Sequence, residues 1–353
     1  MGAEQSRSAS NSLSNMLTVY PDIPDFRDFE NKPQKDDGSR VVGGGVNVYN
    51  DGVTPAQSPS IDWRVEYDIC PIYQMSPFGD SIACSICSIL FLHWRNANTG
   101  IKDSVISRRW IYCSYLESLG ITSKSAQNAA ARPTRMTIRE VLRYIRRHGL
   151  VSESSCRSVD MSLWDKPVSL QNRKEAIKWT IDYTRITPDA IVTALLQKRT
   201  ILTAISVFSN FLHPEVRQSG YISMPDKNMD SLLGMMSVVI VGYHPATQRW
   251  IIRCHLGPLW GDHGYGFIDR EYLARNASDF WLVSLMERRE SIDPNSIVTE
   301  GIVIGDGEGC RDASARSGRR SGDDRGDRGE SDGGPGEGSD GGGDRIWNER
   351  MMF

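Results

Sequence analysis

The chain changes texture at Ile201, and that change limits the folds open to it. Before it, apolar residues recur at helical spacing. Ile82, Ala83, Ile86, Cys87 and Leu90 share one face, with Asp80 or Ser81 as a natural N-cap. Ile138, Val141, Leu142 and Ile145 share another, in a helix that Gly149 ends. Further helices are predicted over 107–119 and from Thr187-Pro188 to Leu196. After Ile201 the β-branched runs take over, at 201–207, 237–243, 250–253, 265–268 and 280–285. Helices first and strands second, without alternation, predict an α+β fold of two packed subdomains. The helical half spans about 61–200 and the β half about 201–290.

Both ends of the chain fall outside this pattern. Residues 301–353 hold 8 arginines, 12 acidic residues and 15 of the 32 glycines. Such a segment cannot bury enough apolar surface to offset its chain entropy, so it is predicted to be disordered. Residues 1–19 are Ser/Asn-rich and read as a flexible arm, and 20–60 as an extended lead-in rich in Gly, Asn and Pro. The arm opens Met1-Gly2-Ala3-Glu4-Gln5-Ser6, which fits the N-myristoylation pattern at Gly2. One acyl chain binds membranes only marginally, and Arg7 is the sole basic residue nearby. Docking must then be reversible or reinforced by something else.

Charge and cysteine usage narrow the class further. With 41 basic and 44 acidic residues the net charge is −3, which excludes a protein that lives by electrostatic binding of nucleic acid. No apolar run is long enough to span a bilayer. The N-terminus shows no cationic start followed by an apolar stretch, so no secretory leader is expected. Seven cysteines suggest reduced thiols. Cys84-x-x-Cys87 lacks a second pair at zinc-finger spacing and sits in an apolar run, so buried helical cysteines are expected, with no metal and no cofactor.

The order of motifs resembles the papain-like (C1) cysteine peptidases, and within them a compact branch found in microbes and large DNA viruses. Five stretches carry the resemblance: Pro21-Asp22-Ile23-Pro24-Asp25-Phe26-Arg27-Asp28, then Ile61-Asp62-Trp63-Arg64, Val241-Gly242-Tyr243, Trp250-Ile251-Ile252-Arg253, and Gly257-Pro258-Leu259-Trp260-Gly261-Asp262-His263-Gly264-Tyr265. It covers about residues 20–288 and implies the family's fold and cleft. A papain-like peptidase needs a thiolate at a helix N-terminus, a histidine beside it, an asparagine to orient that ring, and a glutamine for the oxyanion.

The resemblance maps these roles onto Ser81, Met236, Cys254 and Gln74, with one extra residue between Gln74 and Ser81. Three of the four have lost the required chemistry. A thioether accepts no proton at neutral pH. The expectation is a catalytically inactive homologue: a membrane-tethered binding or structural module, peripheral on a cytoplasmic face or part of a virion. Its former cleft would take a protein or peptide partner. The alternative is an active peptidase with Ser81, or a cysteine such as Cys84, as nucleophile. No histidine is predicted to serve it. His255 follows Cys254, so the two point to opposite faces.

Overall fold

The structure, a computed structural model, describes residues 9–23, 25, 28, 40–42, 58–67, 70–96, 105–121 and 136–287. The chain divides into two units, Met1–Gly305 and Asp306–Phe353, and every described residue belongs to the first. Gly2, the 301–353 tail and most of the lead-in lie outside the described residues.

Helix α2 (Ser81–Asn96) follows the turn at Ser76–Asp80, and every residue from Ser81 to Phe91 is buried. The sequence predicts a single apolar face. Over Ser81–Phe91 the helix is instead enclosed all round, because its serines and cysteines are small enough to face the sheet on the other side. Helix α3 (Arg108–Ser118) starts where the Ser107 side chain accepts from Trp110 N. Helix α4 (Ile138–His148) starts where Thr137 accepts from Glu140 N, and it ends at Gly149. The helix expected over 107–119 and the helix end at Gly149 stand where the sequence puts them.

The sheet runs in the order β2 (Arg40–Val42), β11 (Ala277–Glu287), β6 (Ile201–Phe208), β8 (Leu232–His244), β9 (Arg249–Arg253), β10 (Tyr265–Asp269), β7 (Tyr221–Ile222). Strand β3 (Ile61–Asp62) pairs with β8, and β5 (Trp179–Arg185) pairs with β11. Within this sheet, among the described residues, the pairings are antiparallel except β7 with β10. Helix α2 lies against β8 and β11. The α+β class is the observed one. Its division at residue 200 needs correction: β5 comes from the half read as helical and completes the sheet, because Trp179 and Ile181 are buried where it pairs with β11.

A second correction concerns the arm. Residues 9–14 form helix α1, Leu13, Leu17 and Val19 are buried in the core, and β1 (Val19–Tyr20) pairs with β4 (Met136–Thr137). Four apolar residues among serines give no periodic pattern, and the partner surface comes from residues far along the chain. Beyond β1, the acidic lead-in is held by arginines. Asp22 accepts from Arg139 N at the start of α4, while its own N–H donates to Asp279 at 2.8 Å. Asp28 pairs with Arg139 and, at 3.6 Å, with Arg185, which also binds Asp279 at 2.6 Å.

Candidate functional site

Ser81 opens α2, as a nucleophile in this position must. Its Oγ accepts from Ser237 N at 3.3 Å, so the 81 and 236 positions meet where α2 starts against β8. Cys254 lies just past β9, whose Arg253 pairs with Val239. Continuing that register sets Cys254 level with Val238, two residues from Met236. Ser81, Met236 and Cys254 are all fully buried. Burial pushes the Cys254 thiol well up, so it is a neutral apolar group here. Gln74 pairs through its backbone with Leu256, and its side chain packs on Gly257, where an added Cβ would sit 3.2 Å from Oε1.

Beside Ser81 stands a group that sequence reasoning weighed only as a helix cap. The Asp80 carboxylate is fully buried. It accepts from Ser76 N at 2.5 Å and pairs with Arg108 at 3.2 Å. Arg108 also donates to Gln74 O at 3.2 Å and to Cys84 Sγ at 3.4 Å, and lies over the Tyr73 ring at 4.8 Å. Cys84 in turn donates to Asp80 at 3.6 Å. Burial, then the Asp80 charge, drives the Cys84 thiol far above its ordinary range. Cys84 is therefore a thiol, not a latent thiolate. A buried carboxylate beside residue 81 also opposes any anion forming there. No motif marks Arg108, and nothing in its neighbours in sequence signals the role.

The histidine beside Cys254 turns inward. His255 Nε2 is 2.7 Å from Ser85 Oγ, one turn along α2 from Ser81, and Ser237 Oγ donates to Ser85 Oγ at 2.9 Å. Burial, reinforced by Arg253 and Arg108, holds the His255 pKa well below 6.5, so the ring is neutral. The unfolded chain takes up this proton as pH falls through about 6.5, whereas the folded chain resists it. The His255 contribution is thus complete above that pH and is lost as pH drops below it, by about 1 kcal/mol per pH unit. Urea unfolding at stepped pH is expected to show this slope in the difference between wild type and His255→Gln. An unchanged slope would place the titration elsewhere. Among the other histidines, His213 approaches Asp230, His244 bonds Ser60, and the exposed His263 bonds Asp262.

The chain's own N-terminal segment crosses this region. Gly79, two residues before Ser81, has φ +85°, and a Cβ there would lie 2.6 Å from Met16 O. Thr18 Oγ1 donates to Gly79 O at 2.9 Å. Gly234, two residues before Met236, has no room for a side chain, since a Cβ would lie 2.7 Å from Leu17 Cβ. Ser14 Oγ donates to Leu233 O at 2.9 Å. Residues 14–18 therefore bridge the turn leading to Ser81 and the strand leading to Met236. Glycine at both places is what lets a backbone approach so closely. Among the described residues no cluster of histidine, cysteine and carboxylate side chains could hold a metal ion.

A central buried helix whose start meets an antiparallel sheet at the 81, 236 and 254 positions defines the papain-like fold. Solved structures share it, among them the following two. Xylellain, a cysteine protease from Xylella fastidiosa, superposes with a TM-score of 0.58 at 21% identity, covering 76% of this chain and 95% of that one. Procathepsin B from Trypanosoma congolense gives 0.51 at 12% identity, covering 80% and 89%. In sequence, an uncharacterized peptidase C1-like protein of Acanthamoeba polyphaga mimivirus is 29% identical over 133 residues. That match spans 35% of this chain and 42% of the viral protein. No family model matches the chain.

Proposed function

We propose that this chain is a catalytically inactive member of the papain-like lineage that binds rather than cleaves. An acylated Gly2 tethers it to the cytoplasmic face of a membrane, and it serves as a structural component of a large DNA virus. The observation that carries the inactive reading is the composition of the 81/236/254 site. A serine, a thioether and a protonated thiol stand where nucleophile, base and orienting group are required, beside the buried Asp80 carboxylate. The mimivirus relative supports the viral setting. The partner is a protein or peptide segment, and it reaches the cleft by displacing residues 14–18.

Two measurements test this. Purified protein incubated with a mixed peptide pool should leave every peptide intact by mass spectrometry. In eukaryotic cells the intact mass should carry one myristoyl group, and Gly2→Ala should shift the protein from membrane to soluble fractions. A chain without the acyl group would sink the tether. A second reading, a serine-type hydrolase, rests on the Ser85–His255 contact at 2.7 Å. Both side chains are fully buried, so that reading requires the domain to open, and turnover abolished by Ser85→Ala would establish it.

A further inference from the structure

We infer that the turn over residues 226–232, with Met229 and Leu232 projecting from it, is the surface this chain lays on a lipid bilayer. The inference rests on the proposed acylation of Gly2 and supplies what that acylation lacks. A single myristoyl chain gives an association constant of only about 10⁴ M⁻¹, and stable docking takes a second contribution. Residues 1–19 hold no cysteine to palmitoylate and no basic cluster.

The turn has the properties of that second contribution. Met229 is 80% exposed and Leu232 is 60% exposed. Neither is loose, because the turn's polar groups bind one another. Asp230 N donates to Asp226 O at 2.7 Å, Met229 N to the same oxygen at 3.2 Å, and Asn228 N to Asp226 Oδ1 at 2.8 Å. Asp226 N donates to Asp230 Oδ2 at 2.9 Å, and Ser209 N ties down Ser231 O at 2.9 Å. An apolar tip on a backbone already hydrogen-bonded can enter the headgroup region without leaving those groups unpaired.

The turn also lies beside the arm. Ser14 bonds Leu233 O, and Leu17 packs on Gly234, the residues directly after the turn. Helix α1 is about 9 Å long at 1.5 Å per residue. Gly2 precedes it by seven residues, a reach of about 24 Å when extended. An acyl chain on Gly2 and the two side chains can therefore enter one plane. The turn holds Lys227 against Asp226 and Asp230, so no net positive charge is offered. The lipid recognised is thus the apolar interface of a zwitterionic bilayer rather than an anionic headgroup.

The test uses full-length chain acylated by co-expression with an N-myristoyltransferase, with the acyl group verified by intact mass. Sedimentation with phosphatidylcholine vesicles compares wild type, Met229→Asp/Leu232→Asp, and Leu259→Asp, an apolar residue 97% exposed in the Gly257–Tyr265 loop. The double variant is expected to lose about tenfold or more in vesicle partition, and Leu259→Asp to behave as wild type. Adding phosphatidylserine should change little. An unchanged partition for the double variant, an equal loss in Leu259→Asp, or strong dependence on phosphatidylserine overturns the assignment. All three sites are exposed, so matching thermal melts are expected and serve as the folding control. Failure of the tether is read separately, from the mass of the chain made in eukaryotic cells. The vesicle comparison reports on the turn either way.

Discussion

Arg139→Ala is expected to lower the unfolding free energy by about 3–5 kcal/mol, the usual cost of removing one partner of a buried ion pair. Its guanidinium pairs with Asp28, and its backbone N–H at the start of α4 holds Asp22. Without the guanidinium, the cation left to Asp28 among the described residues is Arg185 at 3.6 Å, which is already committed to Asp279 at 2.6 Å. The exposed pair Arg275–Glu271 at 2.7 Å is the control, and Arg275→Ala should cost about 0.5 kcal/mol or less. Urea midpoints for the two variants decide the matter. Equal small shifts would mean that the lead-in is not fastened by this network.

Asp22 gives the network its pH signature. Burial, with Asp279 adding to it, pushes its carboxyl up from 3.8 to about 6. A folded-state pKa raised above the unfolded one means that this group favours folding fully below about pH 4. That contribution is lost as pH rises through 6. Asp22→Asn should remove this slope, which runs opposite to the one from His255.

Elements whose signals are local were legible in the sequence. Ser107 and Thr137 cap helices because their side chains bond N–H groups three residues on, and Gly149 ends α4 for an equally local reason. Strands β6, β9 and β10 lie within a residue of their alternating runs. What was not legible depends on distant chain. Leu13 and Leu17 are too sparse among serines to mark a core segment, and only their seat by Leu233 and Gly234 makes them one. Trp179, Ile181 and Tyr183 alternate as a strand should, but surrounding helices masked them and β11 decides the outcome. In the site, the resemblance picked out Ser81, Met236 and Cys254 through the ordered motifs that flank them, and the structure brings Ser81 Oγ to Ser237 N beside Met236. Arg108 and Ser85 could not be picked out, since they act through contacts made only after folding.

Wild-type protein is expected to cleave no peptide above background and to leave residue 81 unlabelled by thiol-directed epoxides. General acid–base assistance alone contributes about 10²–10⁴-fold, and on the proposed reading both nucleophile and base are changed. Ser81→Cys with Met236→His and Cys254→Asn restores the residue types, yet it should recover only weak labelling. The start of α2 favours a thiolate through its dipole, while the Asp80 carboxylate beside it opposes one, as it does for Cys84. Adding Asp80→Ser should therefore raise the labelling rate, and adding Leu17→Ser, which loosens the segment over Gly234, should raise it again. That order of gains separates the two obstacles, one electrostatic and one steric. If the triple variant already labels at full rate, neither Asp80 nor residues 14–18 guards the site. Wild-type turnover abolished by Ser81→Ala would show that the site never lost its chemistry, because burial and the missing base would then have been bypassed by an opening of the domain.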